Sequence, residues 1–131
     1  MRSPLPLFLT LAVATFAGCS RAPHFDFADQ TQITFTNRNP MVREGLVLGP
    51  SSRTSFVQMV SQPESDFDPK WLQLSAPMGV FQAGETKFEY HLGLVVYRVG
   101  SRVHIWQSDF SHQLGDALLK TNASWREMLE K

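Results

Sequence analysis

The stretch Phe88-Glu89-Tyr90-His91-Leu92-Gly93-Leu94-Val95-Val96-Tyr97-Arg98-Val99, then Gly100-Ser101, then Arg102-Val103-His104-Ile105-Trp106-Gln107-Ser108-Asp109-Phe110, decides the fold. β-Branched and aromatic residues dominate both arms, and apolar side chains alternate with polar ones at the period of two expected of a pleated strand. A two-residue loop with glycine first suits a type II′ turn, whose first position needs a positive φ. The pattern predicts a β-hairpin over 88–110. Such a loop fixes the register, with Val99 opposite Arg102, Tyr97 opposite His104, Val96 opposite Ile105 and Val95 opposite Trp106. Taken as one continuous strand, the first arm puts Phe88, Tyr90, Leu92, Leu94 and Val96 on one face. Val95, Tyr97, His104, Trp106 and Phe110 fall on the other.

Upstream of the hairpin, Met78 to Phe81 reads as a short strand turned by Ala83-Gly84-Glu85. Trp71-Leu72-Gln73-Leu74 is apolar enough for a strand or a helix edge. Gln32-Ile33-Thr34-Phe35-Thr36 alternates as a half-buried strand does, and Asn37-Arg38-Asn39-Pro40 ends it. After Gly49-Pro50, a serine cap followed by Phe56, Val57, Met59 and Val60 predicts a helix over Ser52 to Ser61, closed by Pro63. Glu64 to Pro69 reads as an acidic loop. Downstream, a Ser-x-x-Glu capping box at Ser124 and Glu127, with Trp125 and Leu129 one turn apart, predicts a helix over Ala123 to Glu130. The sum is an α+β domain: an antiparallel sheet of about four strands, packed on one face by two short helices.

At 131 residues, 43% of them hydrophobic and 18% charged, the chain suits one globular domain. Arg2 is the only charge before Cys19, which leaves 11 basic and 12 acidic residues beyond it. No basic stripe interleaved with aromatics is present, so the counterion release that drives nucleic-acid binding has no source, and a nucleic-acid partner is not expected. With a single cysteine, an intrachain disulfide and every Cys-pair metal or redox motif are excluded.

Residues 1–18 have the order of a secretory leader: a short charged start at Arg2, an apolar stretch from Leu5 to Phe16, and the small pair Ala17-Gly18. That stretch is shorter than the roughly 20 apolar residues a membrane-spanning helix needs. Phe16-Ala17-Gly18-Cys19 resembles the lipobox of bacterial lipoproteins, an aliphatic residue, a small one, Gly or Ala, and then cysteine, with Phe16 departing from the usual Leu. The resemblance implies cleavage before Cys19, a thioether diacylglycerol on its sulfur and an N-acyl chain. At about 0.8 kcal/mol per buried CH₂, several chains anchor stably where one does not. It also implies a bacterial cell-envelope address. Ser20 stands where Asp would favour retention in the inner membrane, which points to the periplasmic leaflet of the outer membrane. The organisation expected is a signal peptide over 1–18, a lipidated N-terminus and tether over 19–24, and a single domain over 25–131.

Chemistry is sparsely written. His24, His91, His104 and His112 show no H-E-x-x-H or H-x-H spacing. Asp109 and His112 are close enough along the chain to share a metal or a general-base hydrogen bond, but a solvated strand end explains Asp109 as well. Asp66 and Asp68 lack the glycine and terminal glutamate of a calcium loop. Phosphate-binding loops, dinucleotide fingerprints and the nucleophile elbow are absent, so no catalytic residue, metal or cofactor is assigned. Tyr97, His104 and Trp106 combine aromatic area with hydrogen-bonding tips, the chemistry enriched at binding hot spots, and two short helices would cover only one face of the sheet. The expected function is a lipid-anchored cell-envelope binding or interaction module for a protein or an envelope component. The alternative is a small envelope hydrolase or metal-dependent enzyme using these histidines with Asp109.

Overall fold

A computed structural model describes residues 32–38, 45–66, 70, 76–120 and 122–131, together with Pro23, Phe25 and Phe27. Its elements run β1 (Ile33–Asn37), β2 (Gly45–Val47), α1 (Pro50–Val60), β3 (Gly79–Ala83), β4 (Thr86–His91), β5 (Leu94–Val99), β6 (Arg102–Trp106), α2 (Asp109–Lys120) and α3 (Asn122–Glu130). The six strands form one antiparallel sheet in the order β2-β1-β3-β4-β5-β6. The three described helices all pack on one of its faces. The protein is therefore an α+β domain with more strands than its pattern suggests. Leader, lipobox, Cys19, His24, Asp68 and the Trp71–Leu74 stretch lie outside the described residues.

The hairpin register is as expected in all four pairs: Val95 with Trp106, Val96 with Ile105, Tyr97 with His104 and Val99 with Arg102. Gly100 takes a φ of +57° at the first turn position. The first arm, however, is two strands. Leu92 and Gly93 make a second two-residue turn, Gly93 with a φ of +79°, and His91 pairs with Leu94 and Tyr90 with Val95. A two-residue reversal pairs odd positions with even ones, so the faces exchange partners. Phe88 and Tyr90 share the helix-covered face with Val95, Tyr97, His104 and Trp106, whereas Leu94 and Val96 lie on the opposite face with Ile105. The merged reading of Phe88 to Val96 as one stripe is thus corrected. Both sides of β5 are buried: Val95 packs in the main core, and Leu94, Val96 and Ile105 form a second, smaller cluster with Val103.

The second arm ends at Trp106, four residues short of the expected Phe110, and the chain turns into α2. Ser108 and Ser111 cap that helix reciprocally: the Ser111 N–H donates to Ser108 Oγ at 3.4 Å, and the Ser108 N–H donates to Ser111 Oγ at 2.8 Å. Leu114 and Ala117 point inward, with Phe110 and Leu118 packed at the margin of the core.

At the other end of the helical layer, α1 starts two residues before its expected position, with Pro50 in its first turn and no side-chain cap. Its orphan donors are met instead by the end of α3. Ser51 and Ser52 N–H donate to the Lys131 main-chain oxygen at 2.8 and 3.2 Å, Gly49 N–H to Leu129 O at 2.8 Å, and buried Ser52 Oγ to Met128 O at 2.8 Å. The N-terminus of one helix and the C-terminus of another satisfy each other, with their dipoles aligned favourably. Gly49 has an ordinary φ of −68°, so it is required for space alone: a Cβ there would sit 2.1 Å from the Glu130 oxygen.

The main core lies between the helices and the sheet. Phe56 of α1 lies tilted against Phe81 and edge-on to Phe88, Trp125 of α3 lies edge-on to Phe35, and Leu114 of α2 is fully buried. Phe25 and Phe27 pack against this core from upstream of β1.

Candidate functional site

Tyr97, His104 and Trp106 come together as their register requires. The His104 ring stacks between the two aromatics, at 6.2 Å from Tyr97 and 6.3 Å from Trp106. Their face is occupied by the chain itself. Phe25 sets its ring edge-on against Phe88, Tyr97 and Trp106, with centroids 5.1, 4.9 and 6.0 Å away. Trp106 is 1% exposed, and its Nε1 donates to Gln62 O at 3.0 Å. Nδ1 of His104 lies 2.9 Å from Glu64 Oε1, at ion-pair distance but out of line for a hydrogen bond. Ser65 N–H donates to Ile105 O at 2.8 Å, so residues 62–65 run as a strap along the outer edge of β6. The cover that the sequence left for a partner is supplied from within, and only Tyr97 and His104 keep partial exposure.

The remaining described histidines are apart from one another. His91 is 1% exposed on the face opposite the helices, and its Nε2 lies 3.0 Å from Glu89 Oε1. Arg98 Nε donates to Glu89 Oε2 at 2.6 Å, so Glu89 sits between a histidine and an arginine. Partial burial pulls its carboxyl upward, but hydrogen bonds from Arg98 and His91 and their charges outweigh that pull and hold it below the ordinary 4.5. His112 and Asp109 are both exposed on α2, where helical geometry rather than a strand carries them. Among the described residues no group of three His, Cys, Asp or Glu side chains could hold a metal ion, and no helix is long and apolar enough to cross a membrane.

The pole of the domain around the Leu92-Gly93 turn has a different character. Tyr90 reaches it from β4: its hydroxyl donates to Ser111 O and accepts from Gly93 N–H at 3.1 Å. Burial, opposed by that N–H and assisted by the Asp116 charge, pushes the phenol up to about 12, so it stays a neutral donor. Ser111 Oγ donates to Gly93 O at 2.8 Å. This network fixes the turn against α2 and leaves a cavity of about 400 Å³ lined by Leu92, Gly93, His112, Gly115, Asp116 and Leu119. Leu92 and Leu119, at 52% and 67% exposure, are the two most exposed large apolar side chains described, and both flank it. This site was missed in the sequence, where Leu92 read as a strand residue. Ser108-x-x-Ser111, followed by Leu114, Ala117 and Leu118 at helical spacing, is the signal that would have revealed α2 and with it the groove.

Comparison with known proteins finds no matching family model, no matching curated protein and no matching solved structure. The functional reading therefore rests on the residues themselves.

Proposed function

We propose that this chain is a lipid-anchored binding module of the bacterial cell envelope, held to the membrane through Cys19 and acting by surface recognition. The observation that carries the reading is the lipobox-like Phe16-Ala17-Gly18-Cys19 at the end of a leader of the right order and length. Recognition is favoured over catalysis because His91, His104 and His112 lie in separate surroundings, two of them already facing a carboxylate of the chain, with Asp109 near only one of the three. The groove flanked by Leu92 and Leu119 is the recognition surface on this reading, since its paired exposed leucines border polar His112 and Asp116.

Fractionation of cells expressing the full chain tests the anchoring. Wild type is expected in the membrane fraction with a mass showing acylation at Cys19. Cys19→Ser is expected as unprocessed precursor or as released protein, because only the thiol accepts the diacylglycerol. A correctly processed Cys19→Ser protein that stays membrane-bound would refute the reading.

A further inference from the structure

The outer face of α2 carries the groove and, beside it, an order of charge. Asp109, His112, Asp116 and Leu119 are exposed and recur at spacings of three, four and three, so they form one stripe along the helix, with Lys120 next to Leu119. Leu114 and Ala117, on the inner side, belong to the core. Leu92 stands alongside the middle of the stripe, its Cδ1 3.1 Å from where a Cβ on Gly115 would lie. Among the described residues no ion pair engages Asp109, His112, Asp116 or Lys120. Asp109 in the first turn and Lys120 in the last suit the helix dipole, which accounts for each of them singly. The dipole does not account for a histidine and an aspartate one turn apart in mid-helix, next to the two most exposed leucines.

We propose that this stripe and the groove beside it receive a second copy of the chain, the two α2 helices lying side by side and antiparallel about a two-fold axis at residue 114. The inference rests on the reading of the groove as the recognition surface and names its occupant. A two-fold midway between His112 and Asp116 sets each His112 against the partner's Asp116, so an imidazole N–H meets a carboxylate twice over. The same axis brings Asp109 to the last turn of the partner helix, where Lys120 offers a cation and Leu119 leaves water against the facing helix. A parallel pair would instead set Asp109 on Asp109 and Asp116 on Asp116. The order of charge therefore selects the antiparallel arrangement, which the two helix dipoles also favour. One helix face and one turn fall short of the roughly 1,200 Å² that standard complexes bury, so the pair is weak in solution. Copies held in one leaflet by the Cys19 lipid meet at a raised effective concentration, which favours it there.

The test uses the full lipidated chain in phosphatidylcholine vesicles at low protein density. Gln107→Cys, an exposed position just before α2, is labelled with a donor or an acceptor fluorophore, Cys19 being blocked by its lipid. Energy transfer above that of randomly placed chains is expected for this chain, and a fall to the random level when His112→Glu is added, which sets Glu against Asp116. Leu119→Ser is expected to reduce it. Transfer is expected to return in His112→Glu with Asp116→Lys, where the charges are reversed but still alternate across an antiparallel pair. Such a reversal puts like charges together in a parallel pair, and a Glu–Lys contact within one helix joins no two chains, so the recovery reads the two-fold itself. Random-level transfer without these changes, on vesicles that carry the protein, overturns the second copy while leaving the anchor intact. Transfer that survives His112→Glu and Leu119→Ser, or that the reversal fails to restore, overturns the placing of the contact on α2. A chain that does not float with vesicles, and whose Cys19 takes the thiol label, overturns the anchor and the confinement that the pair needs.

Discussion

Trp106→Ala measures how much of the helix-covered face belongs to the core. The indole is 1% exposed, meets the rings of Phe25, Phe88 and His104, and is tied to Gln62 O through Nε1. Truncating a buried tryptophan costs about 3 to 5 kcal/mol through lost transfer energy and the cavity left behind. The lost hydrogen bond adds little, because the carbonyl belongs to exposed Gln62 and regains water. Small domains have about 5 to 15 kcal/mol in all, so the variant would be marginally folded. Its Tm should fall by about 10 to 25 °C, at roughly 3 to 5 °C per kcal/mol for a domain of this size. Trp106→Phe, which keeps most of the ring but loses the donor, should cost about 1 to 2 kcal/mol. Urea titrations at equal slope provide the measurement. A loss below about 1 kcal/mol for Trp106→Ala would show the indole to be dispensable to packing and would refute this reasoning.

The carboxyl of Glu89 is held below 4.5 in the fold, so the unfolded chain takes up its proton first as pH falls. Its contribution is complete above the unfolded value and is lost as pH falls through the lower folded one. Denaturant midpoints should therefore show Glu89→Gln destabilised near neutrality, with the gap to wild type closing in acid; a gap independent of pH would contradict the Arg98 and His91 pairing. Gly49→Ala should cost about 1 to 3 kcal/mol, since its Cβ would meet the main chain of Glu130 and Lys131 rather than a movable side chain. Circular dichroism melts that leave Gly49→Ala as stable as wild type would show that α1 and α3 meet less closely than described.

Local pattern made much of this fold legible, and its limits are local too. The β5–β6 register followed from a two-residue loop because pairing there is arithmetic. The same arithmetic was hidden at Leu92-Gly93, where an apolar Leu continues the alternation through the turn and only Gly93 marks the break. β2 has three residues, too few for a period to emerge. Ser52 has the chemistry of a helix cap but spends its hydroxyl on Met128 O, a partner 76 residues away that no window of sequence contains. The candidate groove shared both difficulties, since it is formed by the hidden turn and by a helix whose first residues resemble a strand end. The Tyr97, His104 and Trp106 cluster was legible as a cluster. Its cover was not, because Phe25 and Glu64 reach it from distant parts of the chain.

The mutual capping of α1 and α3 also orders events in time. Gly49, Ser51 and Ser52 find their acceptors only in residues 129 and 131, so the first helix of the fold stays open at its start until the last has arrived. Contacts between such distant residues form late, after the cost of closing so long a loop has been met. A chain growing from its N-terminus can assemble β3 to β6 from neighbours in sequence, yet it lacks the closure between α1 and α3 until residues 128–131 are in place. The sheet would thus be settled before the helical layer, whose seam between α1 and α3 closes last.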